Sequence, residues 1–324
     1  MNALQLLMTE PSHTAASPWP SLAYEPWQPT CTTLHLWLQV AGKVRLALTP
    51  WVNHSWHATF YVTPRGLTSS PIPYGRCSFE LDFDFLNHEL RIPTSEGNQR
   101  QIPLAPQTVA DFHRKLLEAL EDLGLNVQIH GLPSEVPDPI PFADDTAHRD
   151  YDPVAARRYW QVLVQVDRVF KHFRTGYLGK ASPVHLFWGA LDLAVTRFSG
   201  RRAPLHPGGV PGLPDEVTRE AYSHEVSSAG FWPGSGIGYP AFYSYAYPEP
   251  AGFRDAAVEP KEALYDAAMG EFLLPYETVR TARDPEAMLL KFLQSTYEAA
   301  ADGGGWERAE LEGPLGQPGV PRKI

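Results

Sequence analysis

Residues 79 to 85 read Phe-Glu-Leu-Asp-Phe-Asp-Phe, and no other stretch of the chain restricts the fold as much. Strict alternation of large apolar and acidic side chains is the period of a β-strand, with Phe79, Leu81, Phe83 and Phe85 on a core and Glu80, Asp82 and Asp84 in water. A sheet with one wetted face is ordinarily antiparallel. Asn87-His88 is expected to turn this strand back through Leu90 to Ile92 as a hairpin. The three acids suit a solvated face better than a divalent-ion site, because their spacing is set by the alternation itself.

Helical patterns surround that strand. Leu34, Leu36, Trp37, Leu38, Val40, Ala41 and Val44 predict a mostly buried helix over 32 to 48. Pro106 opens a second helix, to about Leu123 with Gly124 as its stop. Asp152-Pro153 pairs an N-cap with proline at the first helical position and starts a third, to about Phe173. Ser182-Pro183 repeats that signal and predicts a helix from Val184 to about Ser199; Pro285 to about Ala300 closes the series. Trp56 to Val62, Val127 to Ile129, Val226 to Trp232, Phe242 to Tyr247 and Phe272 to Leu274 read as strands.

The fold class is therefore α+β with mainly antiparallel sheet. Two halves each run helix, strands, helix, and at an offset of 170 His54 meets His224, Gly66 meets Gly236, Leu104 meets Leu274, and Thr108-Val109 meets Thr278-Val279. An internal duplication is one reading of these sparse identities, and chance similarity of two α+β runs is the other. The expected organisation is a disordered tail over 1–17, a first half over 18–130, a linker over 131–152, a second half over 153–301 and a flexible tail over 302–324.

Charge narrows the partners. The 27 Lys and Arg against 37 Asp and Glu leave a net charge of −10, which argues against nucleic acid and anionic membranes. No apolar run approaches the roughly 18 residues of a membrane span. Two cysteines, Cys31 and Cys77, suggest neither a disulfide framework nor a zinc site, so a reducing, cytoplasmic setting is expected. Phosphate-loop, dinucleotide-binding and nucleophile-elbow motifs are absent, which excludes the easy assignments and leaves the cofactor unknown.

The candidate chemistry lies in scattered polar residues. On the helix expected from Val184, His185, Gly189, Asp192, Thr196 and Ser199 fall on one stripe, and His35, Gln39 and Gly42 take matching angles on the first helix. Such small polar groups suit a cavity wall or a satisfied internal stripe. His185 or His224 is the candidate acid or base, with Asp192 to hold an imidazole. Glu225 is a poor orienter for His224, since adjacent strand residues point apart. His54, Arg65, Trp188, Arg197, Trp232 and Tyr245 are the candidate ligand contacts. Arg197, with Arg201 and Arg202, offers forked donors for an anion or simply caps a helix end, and Arg65 and Lys180 could add to such an anion site. Tyr243, Tyr245 and Tyr247 share a strand face in an aromatic region that suits a pocket or a core. His54 and His57 would point apart on a strand, so no metal site is assigned there.

Leu34-His35-Leu36-Trp37, Asn53-His54-Ser55-Trp56-His57, Arg65-Gly66-Leu67, Gly179 to His185, Phe187-Trp188-Gly189, Asp192 to Arg201, Ser223-His224-Glu225 and Gly230-Phe231-Trp232-Pro233-Gly234 carry a resemblance. Over roughly residues 18 to 312 the chain resembles a bacterial family catalogued as a domain of unknown function, number 5996. That resemblance implies no activity. The expected function is binding of a small polar or anionic molecule in a His, Trp and Arg-lined cleft between the halves, with histidine acid–base catalysis if it is an enzyme. The alternatives are a metal-dependent hydrolase using His54, His57, His185 and His224, and a non-catalytic protein-interaction module.

Overall fold

The computed structural model describes residues 18–322; the N-terminal tail expected over 1–17 lies outside the described residues. The chain opens with α1 (Tyr24–Leu48), a helix buried around most of its circumference, Gln39, Lys43 and Arg45 included. Against it packs α2 (Val109–Asp122), started by Thr108, whose side chain accepts from the Asp111 amide. Asp152 accepts from the Val154 amide to cap α3 (Pro153–Thr175), and Asp284 accepts from Ala287 to cap α6 (Pro285–Gly303). Each cap satisfies an amide that the first helical turn leaves without a partner.

The first sheet is antiparallel in the order β1 (Tyr61–Val62), β2 (Gly66–Thr68), β5 (Asp82–Asp84), β6 (Glu89–Pro93), β7 (Gln99–Pro103). A separate hairpin joins β3 (Ile72–Tyr74) to β4 (Cys77–Phe79). Phe79, Leu81, Phe83 and Phe85 all enter the core. Their acidic neighbours are not equivalent. Asp84 is buried, paired with Arg65 at 2.7 Å, and accepts from the Leu86 and Asn87 amides as it ends its strand.

The second sheet is also antiparallel, in the order β12 (Leu264–Asp266), β13 (Glu271–Pro275), β11 (Ala241–Tyr247), β10 (His224–Trp232), β9 (Asp192–Arg202), β8 (His185–Phe187). The helix expected from Val184 to Ser199 is therefore incorrect: the segment is two strands joined by a reversal with Leu191 at a φ of 56°. Ser182 caps no helix. Its backbone pairs with Thr196, and its hydroxyl accepts from the Thr196 amide at 2.9 Å. Val195, Thr196 and Phe198 have the β-branched and aromatic character that fits a pleated surface.

The duplication is not confirmed. Leu34 to Trp37 lies in helix while the matched 184 to 188 lies largely in strand, and the two sheets differ in strand order. Of the strand expected over 56 to 62 only Phe60 to Val62 pair, residues 56 to 59 being turn and loop after a 3-10 turn (Asn53–Ser55); 127 to 129 forms none. Phe60 and Leu186 exchange backbone hydrogen bonds, which carries the loop 51 to 58 onto the second sheet. The segment 131 to 152 has no regular element, yet Ser134, Phe142 and Asp145 are buried. Two short helices, α4 (Asp215–Ala221) and α5 (Tyr276–Arg280), complete the body.

After Gly303 the chain is not the loose tail expected. It forms α7 (Arg308–Leu311), the Gly313 and Gly316 amides bond Gly176 and Thr175, and Tyr297 donates to Glu312. Among the described residues no helix is long and apolar enough to cross a membrane.

Candidate functional site

Alternation along the second sheet sends one set of side chains toward α3 and α6 and the other into a cavity of about 970 Å3. From β9 the cavity receives Asp192, Ala194, Thr196 and Phe198; from β10, Val226, Ser228 and Trp232; from β11, Tyr243 and Tyr245; from β13, Glu271. The register opposes Thr196 to Ser228, and their hydroxyls bond at 2.9 Å. Gly230 lies opposite Tyr243, and a Cβ there would sit 2.3 Å from the tyrosine Cζ. The bare glycine lets the ring lie across β10 and donate its hydroxyl to the Asp192 carboxylate. Trp232 stacks on Tyr243 with centroids 4.3 Å apart, and Tyr245 bonds Tyr222 at 2.9 Å.

The facing wall begins on α1. His35, Gln39 and Lys43 are four residues apart, so one helix stripe carries all three. The His35 Nε2 lies 2.9 Å from the carbonyls of Trp188 and Gly189, and the ring is held neutral by burial. Gln39 donates to the Ser134 carbonyl at 2.8 Å and accepts its amide at 2.7 Å, while Lys43 donates to the Ser134 hydroxyl at 3.0 Å. This clamp presents Glu135, in left-handed backbone at a φ of 58°, to the cavity. Gly189 has no Cβ because one would stand 2.0 Å from the Glu135 Oε1.

Three carboxyl groups thus share the cavity wall with one ammonium. Burial is the main cause that pushes Asp192 up to about 6, Glu135 up to about 7 and Glu271 up to about 8. The Asp192 charge raises the other two further, and the Tyr243 hydroxyl partly restrains Asp192 itself. Desolvation brings Lys43 down to about 8, with Glu135 opposing it. At the mouth, His54 donates from Nδ1 to the Ala221 carbonyl at 2.8 Å and accepts from Lys180 at 2.6 Å through Nε2. Burial lowers its pKa, which keeps it neutral and able to accept.

Of the expected residues, Asp192, His54, Trp188, Trp232 and Tyr245 do line one cavity. Four do not. His185 is fully buried on β8, its Nδ1 3.3 Å from the Thr59 hydroxyl, and burial drives it down to about 3. His224 stands at the start of β10 beside Ser223, outside the lining, with its ring 6.4 Å from that of His54. Arg197 lies on the other face of β9, its guanidinium 3.6 Å from the Phe173 ring and 4.3 Å from that of Tyr297, donating to the Phe173 carbonyl. Arg65 is spent on Asp84 in the first sheet.

The acid–base pairing of His185 or His224 with Asp192 is accordingly replaced: Asp192 meets a tyrosine, not an imidazole. Among the described residues no group of three or more His, Cys, Asp or Glu is placed to hold a metal ion. Sequence reasoning missed Glu135, Glu271, Lys43 and Tyr222. Lys43 continues the spacing of His35 and Gln39, a signal that was present; Glu135 and Glu271 stand in no periodic pattern.

Chemically, the site offers neutral-range carboxyl groups, tyrosine hydroxyls and indole faces in one enclosure, with hydrogen bonding and proton exchange both within reach. No curated protein and no solved structure matches the chain. A family model described as "Family of unknown function (DUF5996)" matches residues 19–313, nearly the whole chain, and the chain belongs to that family.

Proposed function

We propose that this protein binds a small polar organic molecule inside the cavity between the second sheet, α1 and the loops at 51–58 and 130–135. The observation that carries the reading is the enclosure itself. Its volume of about 970 Å3 fits the roughly 300 to 1,000 Å3 of small-molecule sites, and polar groups converge among aromatic walls. Thr196, Ser228, Tyr222 and Tyr245 supply hydroxyls, and Trp188 and Trp232 supply planar faces. An anionic guest finds less support than the sequence suggests, because Arg65 and Arg197 are engaged elsewhere. Asp192 and Glu271, titrating near neutrality, give the site proton-transfer capacity should it turn its guest over.

The test is a thermal-shift screen against polar metabolites, followed by calorimetric titration of each hit into wild type and Ser228→Trp. The indole would project from β10 into the cavity. Hits should lose at least about tenfold in affinity in the variant. Hits that bind both proteins equally would place the ligand elsewhere and end the proposal.

A further inference from the structure

We infer that the guest of this cavity is an organic cation, an ammonium group carried on apolar carbon. The inference rests on the cavity being a small-molecule site and adds the chemistry of what it selects. Four observations support it. Glu135, Asp192 and Glu271 reach the same space from a loop, β9 and β13, and among the lining residues only Lys43 answers them with an ammonium group. Lys43 is held against Ser134 and opposes Glu135, so the Asp192 and Glu271 side of the wall has no cation of its own. The Glu271 Oε2 is shielded from solvent and has no hydrogen-bond partner. Leaving a charged oxygen unpaired there is costly, so the acid is held protonated until a positive charge stands nearby. Finally, Trp232, Tyr243 and Tyr245 form a run of near-parallel stacked rings beside these acids, and aromatic faces attract cations.

Groups from every surrounding element bear on the charge. Tyr222, after α4, feels Glu271, Glu135 and Asp192 together; Asp266 on β12 adds its charge to Glu271; Tyr243 and Tyr245 face the acids from β11. His54, at the mouth, is neutral and bonded. Lys180 is the cation at that mouth, donating to His54 and lying over the Trp56 and Phe198 rings, and Phe198 is six residues along β9 from Asp192. The other groups supply no positive charge, so the carboxyl groups lower their mutual repulsion by holding protons. A cation entering takes over that role and expels them. Proton release on binding is therefore a signature that a neutral guest would not share.

The experiment titrates choline, butylammonium and 3,3-dimethyl-1-butanol, the neutral carbon isostere of choline, into the whole protein at about pH 6 and about pH 8.5. Two buffers of different ionisation heat are used at each pH, so that released protons are counted. The cations should bind at least about tenfold tighter than the isostere, more tightly at the higher pH, with net proton release. Asp192→Asn and Glu271→Gln should each weaken the cations by about tenfold or more and leave the isostere little changed. Both variants remove repulsion and should fold, which their melting curves check.

Equal binding of choline and its isostere, cation affinity indifferent to pH, or no binding of any probe at millimolar concentration would overturn the inference. The underlying reading fails differently. If neutral or anionic metabolites bind and Ser228→Trp abolishes that binding, the cavity is a ligand site with another chemistry. If cations bind wild type and Ser228→Trp alike, the cavity is not the site.

Discussion

Replacing Asp192 with Asn keeps the shape of the side chain and an acceptor for the Tyr243 hydroxyl but removes a charge whose side chain is almost wholly enclosed, the residue being 6% exposed. The carboxyl is pushed from its ordinary 3.8 up to about 6, chiefly by burial. A folded-state pKa above the unfolded one means that the folded chain holds the proton more tightly. The stability that this contributes is fully present below about pH 4 and is lost as pH rises through about 6. Roughly two units at about 1.4 kcal/mol each make the loss about 3 kcal/mol by pH 8. The asparagine variant bears no such loss, and it also relieves Glu135 and Glu271, both of which the Asp192 charge raises. Urea unfolding followed by tryptophan fluorescence should show variant and wild type nearly equal at about pH 3.5. The variant should gain up to about 3 kcal/mol near pH 8. Comparing the two proteins at the same pH cancels most of the other titrations of the chain. A difference that is the same at both pH values, or a wild type that gains on the variant as pH rises, would refute the claim that Asp192 is ionised against its surroundings.

Two further outcomes separate structural from functional roles. Arg197→Lys should destabilise by about 2 kcal/mol, because an ammonium cannot lie flat against Phe173 and Tyr297 while reaching the Phe173 carbonyl, yet ligand titrations should be unchanged since the side chain faces away from the cavity. Gly42→Ala, which in an ordinary helix would stabilise by about 1 kcal/mol, should here destabilise by about 1 to 3 kcal/mol. Its Cβ would stand 2.4 Å from the Trp188 ring, so the indole must shift, with a change in tryptophan fluorescence; a stabilised variant with an unchanged spectrum would show that the contact is not made.

The comparison of sequence and structure is most instructive at β9. The segment was expected to be helical because Ser182-Pro183 imitates a helix start, and no local cue distinguishes a serine that caps a helix from one that pairs with a strand fourteen residues on. Asp192 and Thr196 survived the wrong element because four residues return to the same face under a strand period and nearly so under a helical one. His185 did not: it lies across the Gly189-Ala190-Leu191 reversal, on another strand, and side-chain direction does not carry through a turn. Arg197 is one residue from Thr196, so strand geometry alone sends it to the opposite face, where aromatic rings take its charge. The α+β class, the antiparallel hairpin after Phe85 and the cap at Asp152 were legible because each rests on patterns within a few residues, whereas the second helix starts after Thr108 rather than at Pro106. Glu135 and Glu271 were not, since nothing near them in the chain marks them, and they meet Asp192 only through tertiary placement. Gln39 brings one by gripping Ser134, and the β11 to β13 pairing, which opposes Tyr243 to Leu273 and Ser244 to Phe272, brings the other alongside Tyr245. Gly230 completes the arrangement by leaving room for the Tyr243 ring above β10. A cavity assembled in this way depends on register rather than motif: a shift of one residue between β10 and β11 would turn Tyr243 toward α6 and leave Asp192 buried without its donor.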